Sequence, residues 1–479
     1  MTEKLITRKS INQNITKLDF PWPSPILTRS YEILREIEQG GRKEFPEVLL
    51  LHAGNPQEVG QKPLTFFRQV ISVCLYPDLM EDLNLPSDVK EKAKLILHNC
   101  RGHSVGAYSD SPGIEIFRQE VAKFLGERDG VPRDYNNIIL SSGATDGIKS
   151  ILMILNHSKS DKPPGIMIPL PQYPLYSALA REYGMYEICY FLDEENEWAL
   201  SIQELKRAIN EARAHCEPRV LVVVNPGNPT GSVLTYKNTE DIVKFAHEEK
   251  LFLVADEVYQ DNVFAEDVNF HSFHKVMSKM GPPYSDMELA SVMSASKGYI
   301  GECGMRGGCL EVFNLDPDVQ KMLFKAVSAH LCPSILGQIM MYLLSSQPKP
   351  GDPSFLLFEE EKNAILQNMR ENATFLTEAL NKIKGIKCNK VAGAMYAFPR
   401  LLLPPKFIEK AKSLGQEPDF FYCMELVEKT GICSLPGSQF LQKPGTYHIR
   451  MTFLPPVKNM KAMAIRLKEF HQKILAEYS

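Results

Sequence analysis

Short β-branched runs alternate with amphipathic helical periods through the middle of the chain, the pattern of βαβ units around a parallel sheet. Residues 220–224 (VLVVV) and 251–255 (LFLVA) read as buried strands. Between them Ile242, Val243, Phe245 and Ala246 recur at helical spacing among charges, up to about residue 250. Such a crossover is right-handed and leaves both strand C-termini on one sheet edge, where open α/β folds bind ligands. Upstream, 138–140, the small-residue stretch 141–147 and the apolar stretch 148–155 predict strand, loop and helix. Residues 289–293 predict a further strand.

Beyond residue 354 the pattern changes. A long amphipathic helix is predicted over 355–384, then short strands at 394–398 and 448–453, and helices around 420–429 and 460–476. This is an α+β arrangement, and the proline-rich stretch 347–353 marks the junction. The expected organisation is α/β: a large domain over 76–340 with a mixed, mostly parallel sheet flanked by helices, and a smaller α+β domain over 341–479. Residues 1–75 are too short for a core of their own and are expected to pack with the small domain and a dimer partner.

With 54 Lys+Arg against 58 Asp+Glu the formal charge is −4, which leaves no excess positive charge for a nucleic-acid backbone. No stretch approaches the roughly 18 apolar residues a membrane span needs. Ten cysteines, with no CxxC pair among them, argue against a zinc ribbon or a redox dithiol and suit a reducing compartment. Residues 1–19 show no apolar signal region, so a cytoplasmic location is expected, or a mitochondrial one if a presequence is missing from this form. The sequons at Asn14 and Asn372 are then idle.

Candidate chemistry collects after the predicted strands. The loop 225–231 (NPGNPTG) follows one, with two prolines restricting the backbone and two glycines permitting positive φ. Asp256 follows the next, with Tyr259 three residues on, and its carboxylate is placed either to reach a ligand crevice or to cap a helix. After 289–293 comes SASKGYIGECGMRGG (294–308). A lysine among small residues beside a buried strand and near an arginine can have a lowered pKa and act as a Schiff-base amine, although most lysines are surface groups. Arg450 alternates with apolar Ile449 and Met451 and so faces away from them, as a carboxylate ligand or as a surface residue of an edge strand.

The ordered words SGATDG, PQYPLY, NPGNPTG, ADEVY, SASKGYIGECGMRGG and HIRMTF, spread over nearly the whole chain, resemble the fold-type I pyridoxal-phosphate transferases. Longer words at 51–57, 106–113, 169–176, 192–196 and 421–423 resemble the alanine aminotransferases among them. By that resemblance Lys297 holds pyridoxal 5′-phosphate and shuttles a proton between the substrate α-carbon and the cofactor C4′. Asp256 pairs with the pyridine nitrogen, Asn228 and Tyr259 donate to the ring's phenolic oxygen, and Tyr173 covers its face. The phosphate falls to Arg306, Ser294, Ser296 and the helix N-terminus at Ala144 and Thr145, with Tyr108 reaching in from a neighbouring copy, which implies a homodimer. Arg450 takes the substrate α-carboxylate, helped by Gly54 and Asn228. The resemblance also implies a hydroxylated residue at 295 and an aromatic one at 305, where this chain carries Ala295 and Met305.

The implied reaction moves the amino group of L-alanine to 2-oxoglutarate, giving pyruvate and L-glutamate in a ping-pong cycle, with small amino acids and 2-oxo acids as partners. A broader-specificity transaminase or a lyase of the same fold is the nearer alternative, and a non-catalytic ligand sensor the remote one. Three other signals lack their context. The GHSVG of 102–106 follows a charged helical pattern rather than a strand, 301–307 has the wrong spacing for a dinucleotide fingerprint, and His271 with His274 lacks companion metal ligands.

Overall fold

A computed structural model describes residues 4–18, 20 and 24–479; part of the stretch read above for targeting signals lies outside these. Seven strands form the central sheet: β1 (Ile138–Ser141), β2 (Pro164–Leu170), β3 (Tyr186–Phe191), β4 (Glu217–Val224), β5 (Phe252–Asp256), β6 (Leu289–Ser294) and β7 (Gly308–Phe313). Their order is β1-β7-β6-β5-β4-β2-β3. Only β7 runs against its neighbours, and the remaining pairs are parallel.

Both faces of this sheet are covered, which is why its strands read as unbroken apolar runs. Val220, Val222 and Val254 enter the core on one side, while Leu221, Val223, Leu253 and Ala255 enter the core on the other. The helix after β1 spans Ala144–Leu155 and so begins inside the stretch read as loop. Gly143, at φ 86°, turns the chain straight from strand to helix, and the small residues that follow serve as its first turn.

The C-terminal part holds the long helix Phe355–Asn381, the helices Pro418–Thr430 and Val457–Tyr478, and a three-stranded sheet. In that sheet Ile449–Thr452 lies between Tyr396–Ala397 and Leu435–Pro436, antiparallel to both. The strand expected over 394–398 shrinks to two residues because Ala394 sits at φ 59°, which interrupts extended pairing. Asn372 is buried and donates to the carbonyls of Phe453 and Pro455 at 2.9 and 2.7 Å, tying the long helix to the end of the Arg450 strand.

The N-terminal residues divide between two cores. Leu49–Leu50 pairs in parallel with Ile432–Cys433, and Ile26, Ile33 and Leu51 share a core with Leu426 and Met463. Phe66, Phe67 and Val70 of the helix Thr65–Leu75 belong to a different core, with Ile339, Leu343 and Phe358.

Candidate active site

Parallel pairing sets Asp256, the last residue of β5, beside Val224 and Val292. The loops after β4, β5 and β6 therefore leave the sheet together. Antiparallel β7 begins at the same edge, with Gly308 opposite Ser294 and Ser141, which brings Arg306 and the helix N-terminus at Ala144 alongside. The small-domain sheet closes the space from above. The result is a cavity of about 510 Å³ whose wall includes every site residue named above except Tyr108. Tyr108 is 69% exposed and borders a separate recess of about 140 Å³ with Arg101 and Asp110.

Asp256 is buried and accepts from the Tyr176 hydroxyl at 2.7 Å and from the Val258 N–H at 3.5 Å. The chain turns after β5 and the next helix begins only at Phe273, so the capping alternative is excluded. Burial pushes its pKa up, against the hydrogen bond from Tyr176 and the charge of Lys297. Lys297 Nζ donates to the Gly54 carbonyl at 2.8 Å and lies 5.8 Å from the Tyr259 ring centre. Its pKa moves opposite to the expected direction. Burial lowers it, but the Tyr396 phenol, Cys303 and Tyr173 outweigh burial and the net shift is upward. Tyr396 answers in the other sense, its phenol pushed up by burial but pulled down further by Lys297 and Arg450.

Arg450 is buried and held on two sides. It donates to Asn228 Oδ1 at 3.1 Å and to the His52 carbonyl at 2.6 Å, and its guanidinium lies 4.2 Å from the Tyr396 ring centre and 4.5 Å from that of Phe440. Its Nε–H has no hydrogen-bond partner among the described residues. Asn228 also donates to the Tyr259 hydroxyl at 3.4 Å. A Cβ at Gly54 would run into the Tyr396 hydroxyl, so glycine is required for this close approach.

At the other end Arg306 adopts φ 57° and donates to the carbonyls of Cys303 and Ser142 at 2.9 and 3.1 Å. Its guanidinium crosses Gly143 so closely that a side chain there would collide with it. Ser294 Oγ donates to the Gly307 carbonyl at 3.1 Å and accepts from the Ser296 N–H at 3.1 Å, so its hydroxyl proton is engaged away from the cavity. Ala295 is buried and Met305 packs on the neighbouring core.

Sequence reasoning missed Tyr176, Tyr396, Cys303 and Phe440. Tyr176 ends the quoted word PQYPLY, and its place three residues after Tyr173 was the available signal. Tyr396 and Phe440 meet Arg450 only through tertiary packing.

This donor set suits pyridoxal 5′-phosphate. A cation and unpaired helix N–H groups sit at one end for a phosphate. An amine stands in the middle for its aldehyde carbon. A buried carboxylate, whose hydrogen bonds among the described residues come only from neutral donors, stands ready for a cationic ring nitrogen.

Residues 73–467 match the family model for aminotransferase class I and II. The chain belongs to that family, whose members depend on pyridoxal phosphate. It is 52% identical to alanine aminotransferase 2 of Xenopus laevis over 99% of this chain and 88% of the relative. It is 48% identical to alanine aminotransferase 1 of Homo sapiens over 99% and 96%. Among solved structures, an alanine aminotransferase from Pyrococcus furiosus superposes with a TM-score of 0.74 at 20% identity, covering 97% of this chain and all of that one, a likeness of fold.

Proposed function

We propose that the protein transfers the amino group of L-alanine to 2-oxoglutarate, forming pyruvate and L-glutamate. The observation that carries the reading is one cavity lined by Lys297, Asp256 and Arg450 together. Near-full-length identity to curated alanine aminotransferases supports the substrate pair.

When bound, pyridoxal 5′-phosphate supplies the carbon that carries the amino group and a sink for the electrons released at the substrate α-carbon. Arg306, Ser296 and the N–H groups of Ala144 and Thr145 hold its phosphate, with Ser294 completing the rim. Tyr173 covers its ring, while Asn228 and Tyr259 donate to its phenolic oxygen. Asp256, with its second oxygen fixed by Tyr176, keeps the ring nitrogen protonated. Arg450 binds the substrate α-carboxylate with N–H groups left over after Asn228 and the His52 carbonyl have taken one from each terminal nitrogen; Gly54 leaves room for the approach. Lys297 Nζ, released by substrate, takes the α-proton and returns it on the far side of the transfer. One amine performs both tasks, so the two half-reactions use a single base.

Incubating purified protein in its pyridoxal form with L-alanine alone is expected to release stoichiometric pyruvate and no ammonia. Ammonia would mark a lyase, and no keto acid at all would mark a ligand sensor. A second expectation concerns Tyr396. Since its phenol raises the Lys297 pKa, Tyr396→Phe should bring the free amine within reach at lower pH. The rate at which the apoprotein recombines with pyridoxal 5′-phosphate, followed by absorbance, should then rise at lower pH than in the parent. An unmoved profile would remove Tyr396 from the control of this amine.

The reading extends to organisation. Residues from 76 to the end of the helix Ile335–Ser345, which the expected boundary at 340 would cut, form the cofactor-binding domain and the residues beyond it the small domain. The N-terminal segment joins the small domain through Leu49–Leu50 and the helix Pro25–Glu38, but, against expectation, its helix Thr65–Leu75 packs on the cofactor-binding domain. The assembly is a homodimer in which Tyr108, exposed and outside its own cavity, reaches the phosphate of the second copy. Among the described residues no helix is long and apolar enough to cross a membrane, and a cytoplasmic location is proposed.

A further inference from the structure

The acidic word at residues 192–196 has no part in the chemistry above, yet the structure places it behind Arg450. Alternation along Ile449–Thr452 sends Ile449 and Met451 into the small-domain core and leaves His448 and Arg450 on the opposite face. His448 is buried there. Its Nε2 lies 3.0 Å from Glu194 Oε1 and its Nδ1 2.8 Å from Gln442 Oε1. The Gln442 amide nitrogen donates to Asp419 at 2.7 Å, which turns the amide oxygen toward the imidazole. Both ring nitrogens therefore face acceptors, and the ring is pinned in its plane.

From that ring a stack of side chains leads to the guanidinium. His448 lies 4.7 Å from Phe398 with 5° between planes, Phe398 lies 6.0 Å from Phe440, and Phe440 lies 4.5 Å from the Arg450 guanidinium. Trp198 closes the group, 5.9 Å from Phe398 and 5.7 Å from His448. Glu194 and Trp198 come from the loop after β3, on the other domain. Consecutive non-glycine residues Glu197 and Trp198 adopt φ 52° and 62° to turn the indole inward, backbone strain that packing must repay. Asn389 donates to the Glu194 carbonyl at 2.6 Å, which fastens the loop to the small domain.

We propose that the loop over 192–198 positions the substrate-carboxylate arginine from the neighbouring domain: Glu194 and Trp198 hold His448 and Phe398, and these hold Phe440 against the Arg450 guanidinium. The inference rests on the reading of Arg450 as the carboxylate ligand. Glu194, Trp198 and His448 touch no reacting atom; they are positioning residues. Two-point recognition of a carboxylate is directional, so a guanidinium freed on its Phe440 side presents its remaining N–H groups less often in the productive orientation.

L-alanine and 2-oxoglutarate both carry an α-carboxylate, so steady-state kinetics of the holoenzyme test the proposal on two substrates at once. Glu194→Ala and Trp198→Ala are each expected to raise both KM values about tenfold while kcat stays within about threefold, the signature of lost uniform binding. Glu194→Gln keeps an acceptor for His448 and Trp198→Phe keeps a ring, and each should recover most of the loss. Glu195→Ala should match the parent, because that carboxylate reaches Arg400 and Lys387 rather than His448. Folding damage alone would lower apparent kcat at unchanged KM, and that result overturns the proposal. Arg450→Lys separates the two levels. If it raises KM while Glu194→Ala and Trp198→Ala do not, the positioning role fails and the arginine's role stands; if it leaves KM unchanged, the arginine's role fails and the inference with it.

Discussion

Lys297→Ala is expected to lose at least about 10²-fold, and up to about 10⁴-fold, in turnover of L-alanine with 2-oxoglutarate, the range that a positioned acid–base group contributes. The argument is one of exclusivity. Lys297 Nζ sits against the Gly54 carbonyl between the Asp256 and Arg450 ends of the cavity. The other nitrogen bases on that wall are poor substitutes. The Arg306 and Arg450 guanidiniums stay protonated, and His52 has its pKa pushed down to about 4 by burial, which makes it a weak proton acceptor. The truncated side chain leaves one hydrogen bond unmade, so the fold should persist, and far-ultraviolet circular dichroism alongside the pyruvate assay will establish that it does. The variant should still bind the cofactor, through the phosphate end and Asp256, with an altered absorbance maximum. Turnover within about threefold of the parent would remove Lys297 from the acid–base role.

Asp256→Asn should cost about 10²–10³-fold in kcat, the loss typical when one preorganised electrostatic partner of the developing charge is removed. The substitution is nearly isosteric. An amide oxygen at the same place still accepts from Tyr176, so the packing around a wholly buried position is retained and the effect reports charge. Without the carboxylate, nothing negative faces the ring nitrogen; it releases its proton, and the electron sink weakens. Burial raises the pKa of this carboxyl in the absence of a cationic partner. The positive charge of the ring nitrogen, once bound, would act against that upward push. A full-rate Asp256→Asn enzyme would contradict the assignment.

Much of this site was legible because its parts occupy the ends of strands. A run such as 220–224 announces a strand buried on both faces, and whatever follows it in a parallel sheet arrives at one edge; that logic made Asp256 and Lys297 candidates, and the resemblance added Asn228. The same reading failed where local pattern carries no signal. The helix beginning at Ala144 looked like loop because small residues suit both, and Gly143 at φ 86° decides between them. The direction of the Lys297 shift was misread because burial and a nearby arginine, both of which lower it, were the influences legible in the sequence, whereas Tyr396 and Cys303 are brought beside the amine by folding.

Residue order alone determined the α/β class and the sheet edge at which chemistry gathers, because strand periodicity and turn chemistry are local properties; the amine, the carboxylate and the two arginines were singled out by the resemblance of the ordered words. Tertiary structure decided what surrounds them: Tyr176 on Asp256, two aromatic rings on Arg450, and Glu194 on His448. These pairs lie 80, 54, 10 and 254 residues apart in the chain. The first three contacts come from packing within a domain and the last from the packing of one domain against the other, and no short-range pattern of hydrophobic and polar residues encodes either.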